Sequence, residues 1–89
     1  MRIEKVIVER NTAVKIYNRH RVTTKEIKLV LKENKPIFKK VGGGQYMAIG
    51  LFHRHVTIFF IYDKQSKIAD IKTAYPSSKW QINLYKRKK

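Results

Sequence analysis

Apolar and polar positions follow different periods in the two halves of this chain. Ile3 to Glu9 is short and rich in β-branched residues, and reads as a strand. Between Arg10 and Arg19 the period lengthens, with Ala13, Ile16, Tyr17 and His20 recurring at i, i+3, i+4 and i+7. That spacing makes one face of a helix, with Asn11 as its N-cap. The next helix has the clearest local signature. Thr23-Thr24-Lys25-Glu26 fits a capping box, in which the Thr23 hydroxyl meets the Glu26 N–H and the Glu26 carboxylate reaches back. Val22 and Ile27 are placed to staple the entry, and Ile27, Val30 and Leu31 form the buried stripe. Pro36 stops this helix, having no N–H to donate.

From Ile37 the period becomes two. Ile37 to Val41 and Gln45 to Leu51 flank Gly42-Gly43-Gly44, a hairpin turn. Val56 to Tyr62 is apolar on both faces, as a central strand must be. After the polar turn Asp63 to Ser66, Ile68 to Tyr75 forms a last strand, with Ala69, Ile71 and Thr73 on one side and Asp70 and Lys72 on the other. Pro76 ends it. Ser78-Lys79-Trp80-Gln81 offers a second capping box for a short terminal helix, anchored by Trp80 and Leu84. The expected order is β-α-α-β-β-β-β-α in one domain spanning residues 1–89. This is an α+β arrangement with the two early helices packed on an antiparallel sheet. The other face, with the short C-terminal helix beside it, is expected to form a concave basic surface. Phe59, Phe60 and Trp80 are the aromatic residues assigned to the core, and the basic tail at residues 86–89 is expected to fray.

Charge changes the picture from a generic small fold to one built around a partner. Twenty-one Lys and Arg face six acids, a net charge of +15 in 89 residues. Such an excess opposes folding by self-repulsion, and a polyanion relieves it while gaining from counterion release. RNA is the first candidate; an acidic protein suits the same charge. The absence of Cys excludes disulfides, thiolate-bound zinc and a cysteine nucleophile. No apolar run approaches a membrane span, and the start shows no secretory pattern, so the expected compartment is the cytoplasm.

The remaining chemistry is narrow. Gly42-Gly43-Gly44 lacks the Lys-Ser or Lys-Thr of a phosphate-binding loop. His53 and His55 stand at i and i+2 without an evident third ligand, so no metal or cofactor is assigned, and they are read as loop histidines touching phosphate. No paired carboxylates, nucleophile elbow or kinase motif is present. Metal-free phosphodiester cleavage by the ribose 2′-hydroxyl is the enzymatic reaction the available residues suit. Histidine can serve either proton role near neutrality, and arginine can neutralise the extra phosphorane charge. His20 is read either as a hydrogen-bonded helix-end histidine or as that acid–base group. Tyr46 and Tyr75 are the candidates for stacking on a base or bonding phosphate.

Several segments resemble BrnT-type toxins, small ribonucleases of bacterial toxin–antitoxin pairs with a RelE-like fold. Lys15-Ile16, Arg19-His20, Val22-Thr23, Glu26-Ile27 and Val30-Leu31 resemble that family's opening helices, where Lys-His-Gly-Val-Ser leads into Glu-Val-x-x-Val-Leu. Tyr46-Met47-Ala48-Ile49-Gly50 resembles its Tyr-Leu-Ala-Leu-Gly strand, and Thr57 to Tyr62 its apolar central strand. Thr73-Ala74 stands where the family has Ser-Ala-Arg, and Tyr85 matches a Tyr near the end of the last helix. Three positions depart. Leu51 stands for an Arg, Tyr75 for the Arg of Ser-Ala-Arg, and Gln81 for a Glu. The resemblance implies a ribosome-independent endoribonuclease that slows translation until a cognate antitoxin binds it in a toxin–antitoxin hetero-oligomer; with the residue chemistry above, the expected function is a metal-independent endoribonuclease toxin. Under the ribonuclease reading, catalytic roles are assigned to His20, Arg19, Arg54, Tyr75 and Lys79, Arg54 standing at the turn that corresponds to the family's hairpin Arg, and RNA binding to Lys39, Lys40, Tyr46, His53, His55, Lys86 and Arg87. The alternatives are a non-catalytic RNA- or protein-binding domain of the same fold and, more remotely, a DNA-binding or gyrase-directed protein.

Overall fold

The computed structural model describes residues 1–89. Its elements are β1 (Lys5–Ile7), α1 (Arg10–His20), α2 (Thr24–Lys32), β2 (Ile37–Gly42), β3 (Gln45–Phe52), β4 (Arg54–Asp63), β5 (Ile68–Pro76) and α3 (Lys79–Lys88). The order is the one the periodicity predicts. The sheet runs β1-β5-β4-β3-β2, so the doubly apolar β4 is central. It is mixed rather than antiparallel, because β1 pairs in parallel with β5 (Lys5 with Ile68, Ile7 with Asp70). The α1–α2 connection carries the chain away before the β2–β5 meander returns to it, and such a crossover leaves the two strands parallel.

The alternation along the strands separates two cores. On one face Ala48, Val56, Ile58, Phe60, Ala69, Ile71 and Ala74 pack under Ile16 of α1 and Ile27, Val30 and Leu31 of α2. On the other, Met47 and Ile49 pack under Leu84 of α3. The second face is therefore partly covered, where the sequence reading leaves it open. α2 approaches β3 so closely at Gly50 that an added Cβ would lie 2.6 Å from Val30 Cγ1.

Local chemistry sets the element ends, with some differences from expectation. Thr23 Oγ1 accepts the Glu26 N–H at 3.1 Å. The Glu26 carboxylate does not reach back, because both its oxygens are held by Arg54; a charged donor outcompetes a neutral backbone N–H. α1 starts two residues early, after Glu9 rather than Asn11, and ends at Arg21, whose φ of 56° is left-handed. Its buried stripe is narrow: Ile16 is buried while Tyr17 is exposed, with the Arg21 guanidinium 5.0 Å from its ring centroid. The α3 box closes from Gln81, whose Oε1 accepts the Ser78 N–H at 2.8 Å. The basic tail does not fray: residues up to Lys88 are helical, and the Lys89 ammonium reaches the Lys35 carbonyl. No helix is long and apolar enough to cross a membrane.

A basic cleft at the free edge of the fifth strand

β1 pairs only with Ile68 to Asp70, so from Ile71 to Pro76 one edge of β5 is free. α1 packs along this stretch. Its Thr12, Lys15, Arg19 and His20 share the side that meets β5, at i, i+3, i+7 and i+8. On the strand, Phe59 pairs with Thr73 and Phe60 with Ile71, so Lys72 is the extra residue of a β-bulge. The extra residue also reverses the predicted alternation. Thr73 moves to the face of Asp70, and Ala74 joins Ala69 and Ile71 in the core. A bulge re-aims a side chain without ending the strand; here it turns Lys72 toward α1. The result is a cleft of about 230 Å³ lined by Thr12, Lys15, Ile16, Arg19, His20, Lys72 and Thr73.

His20 closes one end, its ring centroid 5.7 Å from that of Tyr75. Tyr75 in turn lies 6.1 Å from Phe59 and is fixed from behind by Gln81, whose Nε2 donates to Tyr75 Oη at 2.9 Å. Gln81 is itself buried and fully engaged. Its Oε1 accepts from Thr57 Oγ1 at 3.0 Å as well as from Ser78, and Thr57 shares a 2.7 Å hydrogen bond with Ser77. Because the phenol oxygen accepts from Gln81, its own proton remains to be donated.

The cleft gathers two of the predicted site residues, His20 and Arg19, and a third, Tyr75, packs against His20 beside it. It adds Lys15 and Lys72, which the sequence reading did not assign to the site. Lys15 carried a usable signal, standing one helical turn before Arg19; the bulge that aims Lys72 has none in the alternation of β5. Lys72 Nζ lies 3.2 Å from Asp70 Oδ2, an exposed pair that water screens.

The other predicted residues lie elsewhere. Arg54 is not a free phosphate ligand. Its Nε and Nη2 hold Glu26 at 3.0 and 3.1 Å, and Nη2 also donates to the Arg21 carbonyl at 2.7 Å. The hydrogen bond to Glu26 raises the Arg54 pKa still further, against the desolvation that burial brings. Tyr46 is half-buried in the β-sheet, stacked on Phe60 and edge-to-face with Tyr62, 6.0 Å from each ring, away from the cleft. His53 sits in the β3–β4 turn with φ 63° and packs against Phe52, whereas His55 packs against Tyr85. Lys39 and Lys40 lie on β2, the edge strand opposite β5's side of the sheet, three strand spacings or about 14 Å away. Lys79 begins α3, and Lys86 and Arg87 belong to its outer surface beside Trp80, which is 58% exposed rather than core. The cations thus do not converge on one hollow; the edge cleft, the β2 edge and α3 hold separate groups. Only three of the 21 cationic side chains sit in ion pairs.

Neither a scan against protein-family models nor a search of curated proteins finds a match. Among solved structures, the chain is similar to the 1.1 Å crystal structure of the Brucella abortus ribonuclease toxin BrnT. The TM-score is 0.68 at 15% identity, over 84% of this chain and 97% of that one. At that identity the likeness establishes the fold.

Proposed function

We propose that this chain with a BrnT-like fold is a ribonuclease that cuts an RNA strand laid along the free edge of β5, without a metal. The observation that carries the reading is the juxtaposition of His20 and Tyr75 at the end of a cleft bearing Lys15, Arg19 and Lys72. His20 takes the proton of the ribose 2′-hydroxyl, whose oxygen then attacks the adjacent phosphorus. Tyr75, its oxygen already accepting from Gln81, donates its proton to the departing 5′-oxygen. The bond to the 5′-oxygen breaks, leaving a 2′,3′-cyclic phosphate on one fragment and a 5′-hydroxyl on the other. Arg19, Lys15 and Lys72 neutralise the added charge of the phosphorane. Such a nuclease acts as a toxin by cutting translated RNA, and an antitoxin with an acidic segment silences it by covering the same cations.

The test is incubation in EDTA with an RNA and with the same RNA carrying one 2′-deoxy substitution at the mapped cut. The first is cleaved and the second spared. His20→Ala lowers the rate by about 10²–10⁴-fold while the fold, read by circular dichroism, is kept. Cleavage of the 2′-deoxy strand, or an undiminished His20→Ala rate, sinks the mechanism. A binding-only reading has one observation in its favour: the neutral Tyr75–Gln81 pair stands where the resembling family has Arg and Glu. Folded protein that binds but never cuts RNA establishes that alternative.

A further inference from the structure

Away from the cleft, α3 presents an exposed aromatic ring among cations. Gln81 and Leu84 face the sheet and are buried. Trp80, Asn83, Lys86 and Arg87, at i, i+3, i+6 and i+7, line a shallow depression on the outer side. No acidic residue occurs anywhere from Lys79 to Lys89. An indole carries more apolar area than most side chains, and at 58% exposure it offers a broad flat face to whatever binds here. Trp80 is the one large apolar side chain of this depression, too little for an apolar protein interface, whose centre is depleted of charge. A flat π-face bordered by ammonium and guanidinium groups matches an unstacked base and its flanking phosphates. A duplex, with its bases already stacked, offers no such face.

We propose that the outer face of α3 is a stacking platform for single-stranded RNA, with Trp80 receiving a base and Lys86 and Arg87 its phosphates. It deepens the ribonuclease reading, on which it rests for the identity of the strand, by assigning a binding subsite outside the cleft. One strand then touches the protein at two places, the β5 edge and α3.

Trp80 is the sole tryptophan, so intrinsic emission reports this position alone. The probe is a short single-stranded 2′-O-methyl oligoribonucleotide, which cannot be cut by 2′-hydroxyl attack, with the same sequence as a duplex for comparison. Binding is followed in parallel by anisotropy of a label on the oligonucleotide. The single strand quenches the Trp80 emission and the duplex does so much less. Trp80→Ala weakens the anisotropy Kd by about tenfold, and Trp80→Phe restores most of it. Equal affinity of Trp80→Ala and wild type, or anisotropy binding with unmoved emission, overturns the platform. So does an emission change with polyglutamate that no oligonucleotide reproduces, which identifies an acidic protein as the occupant. The two readings fail separately. Quenching without any RNA cleavage keeps the platform and removes the nuclease; cleavage with a silent Trp80 does the reverse.

Discussion

Arg54 spans the junction of α1 and α2 from the start of β4. Its guanidinium fork closes on both Glu26 oxygens and on the Arg21 carbonyl, the residue that ends α1 in a left-handed conformation. The Glu26 side chain is 9% exposed and Arg54 39%. Removing the cation leaves a nearly buried carboxylate without its partner. For a fully buried pair that costs about 3–5 kcal/mol; with over a third of Arg54 in water, Arg54→Ala is expected to cost about 1–2 kcal/mol. Urea unfolding checks it. Because Arg54 already has its partners within the fold, the cleavage rate of the folded variant should fall far less than that of His20→Ala. The raised Arg54 pKa has a simple sign. Its share of the stability is fully present below the ordinary arginine range and is lost only as pH rises through a still higher value. The clasp therefore does not open from the arginine side at working pH. Tyr75 and Gln81 are a second unit. As separate positions they look like two independent departures from the resembling family, but they share one hydrogen bond and so act as one neutral unit.

α2 and β3 show what packing adds to pattern. The Thr23 cap, the Val22–Ile27 staple and the Ile27, Val30, Leu31 stripe were legible, because each depends on neighbours within one or two turns. Gly50 was legible only as part of a motif; its reason is the helix lying on it. Gly50→Ala drives a methyl to 2.6 Å from Val30 Cγ1 and 3.2 Å from Pro36 Cβ, and Val30 is wholly buried with no room to rotate away. The expected cost is about 1–3 kcal/mol by overpacking, and Gly50→Ala combined with Val30→Ala should recover part of it in a double-mutant cycle. α3 was misread for the opposite reason. Apolar periodicity put Trp80 inside, whereas Gln81 takes the inward position because Thr57, Ser78 and Tyr75 satisfy its amide there. A buried polar side chain with a full set of partners is invisible to hydrophobic patterning. The same holds for the parallel pairing of β1, a legible strand whose partner lies some sixty positions along the chain, and for the Lys72 bulge, which exists only in the register between β4 and β5. Of the site, His20, Arg19 and Tyr75 were readable as residue types suited to the chemistry. Their meeting, and the company of Lys15 and Lys72, depended on those long-range pairings.

At the scale of the whole molecule, the question is whether +15 acts as a diffuse cloud or as placed contacts. The structure separates cations at the β5 edge from those in the β4–β5 turn, where Lys64 is exposed and lies seven residues, about 23 Å, beyond the position paired with Tyr75. A diffuse cloud predicts that losing any one lysine weakens RNA binding alike. Placed contacts predict a difference in the salt dependence. For a single strand, log K falls with log salt by about 0.7 per phosphate neutralised. Lys15→Ala and Lys72→Ala should each flatten that slope by about 0.7 on an uncleavable strand, whereas Lys64→Ala should weaken binding slightly at low salt and leave the slope unchanged. Lys72 gives the sharper reading, because its exposed pairing with Asp70 must yield to the phosphate as the strand binds. Asp70→Asn removes that competitor, so it should tighten binding while keeping the full slope. Equal slopes for all three lysine variants, measured by anisotropy from low to moderate salt, would mean that the edge of β5 is not where the strand lies.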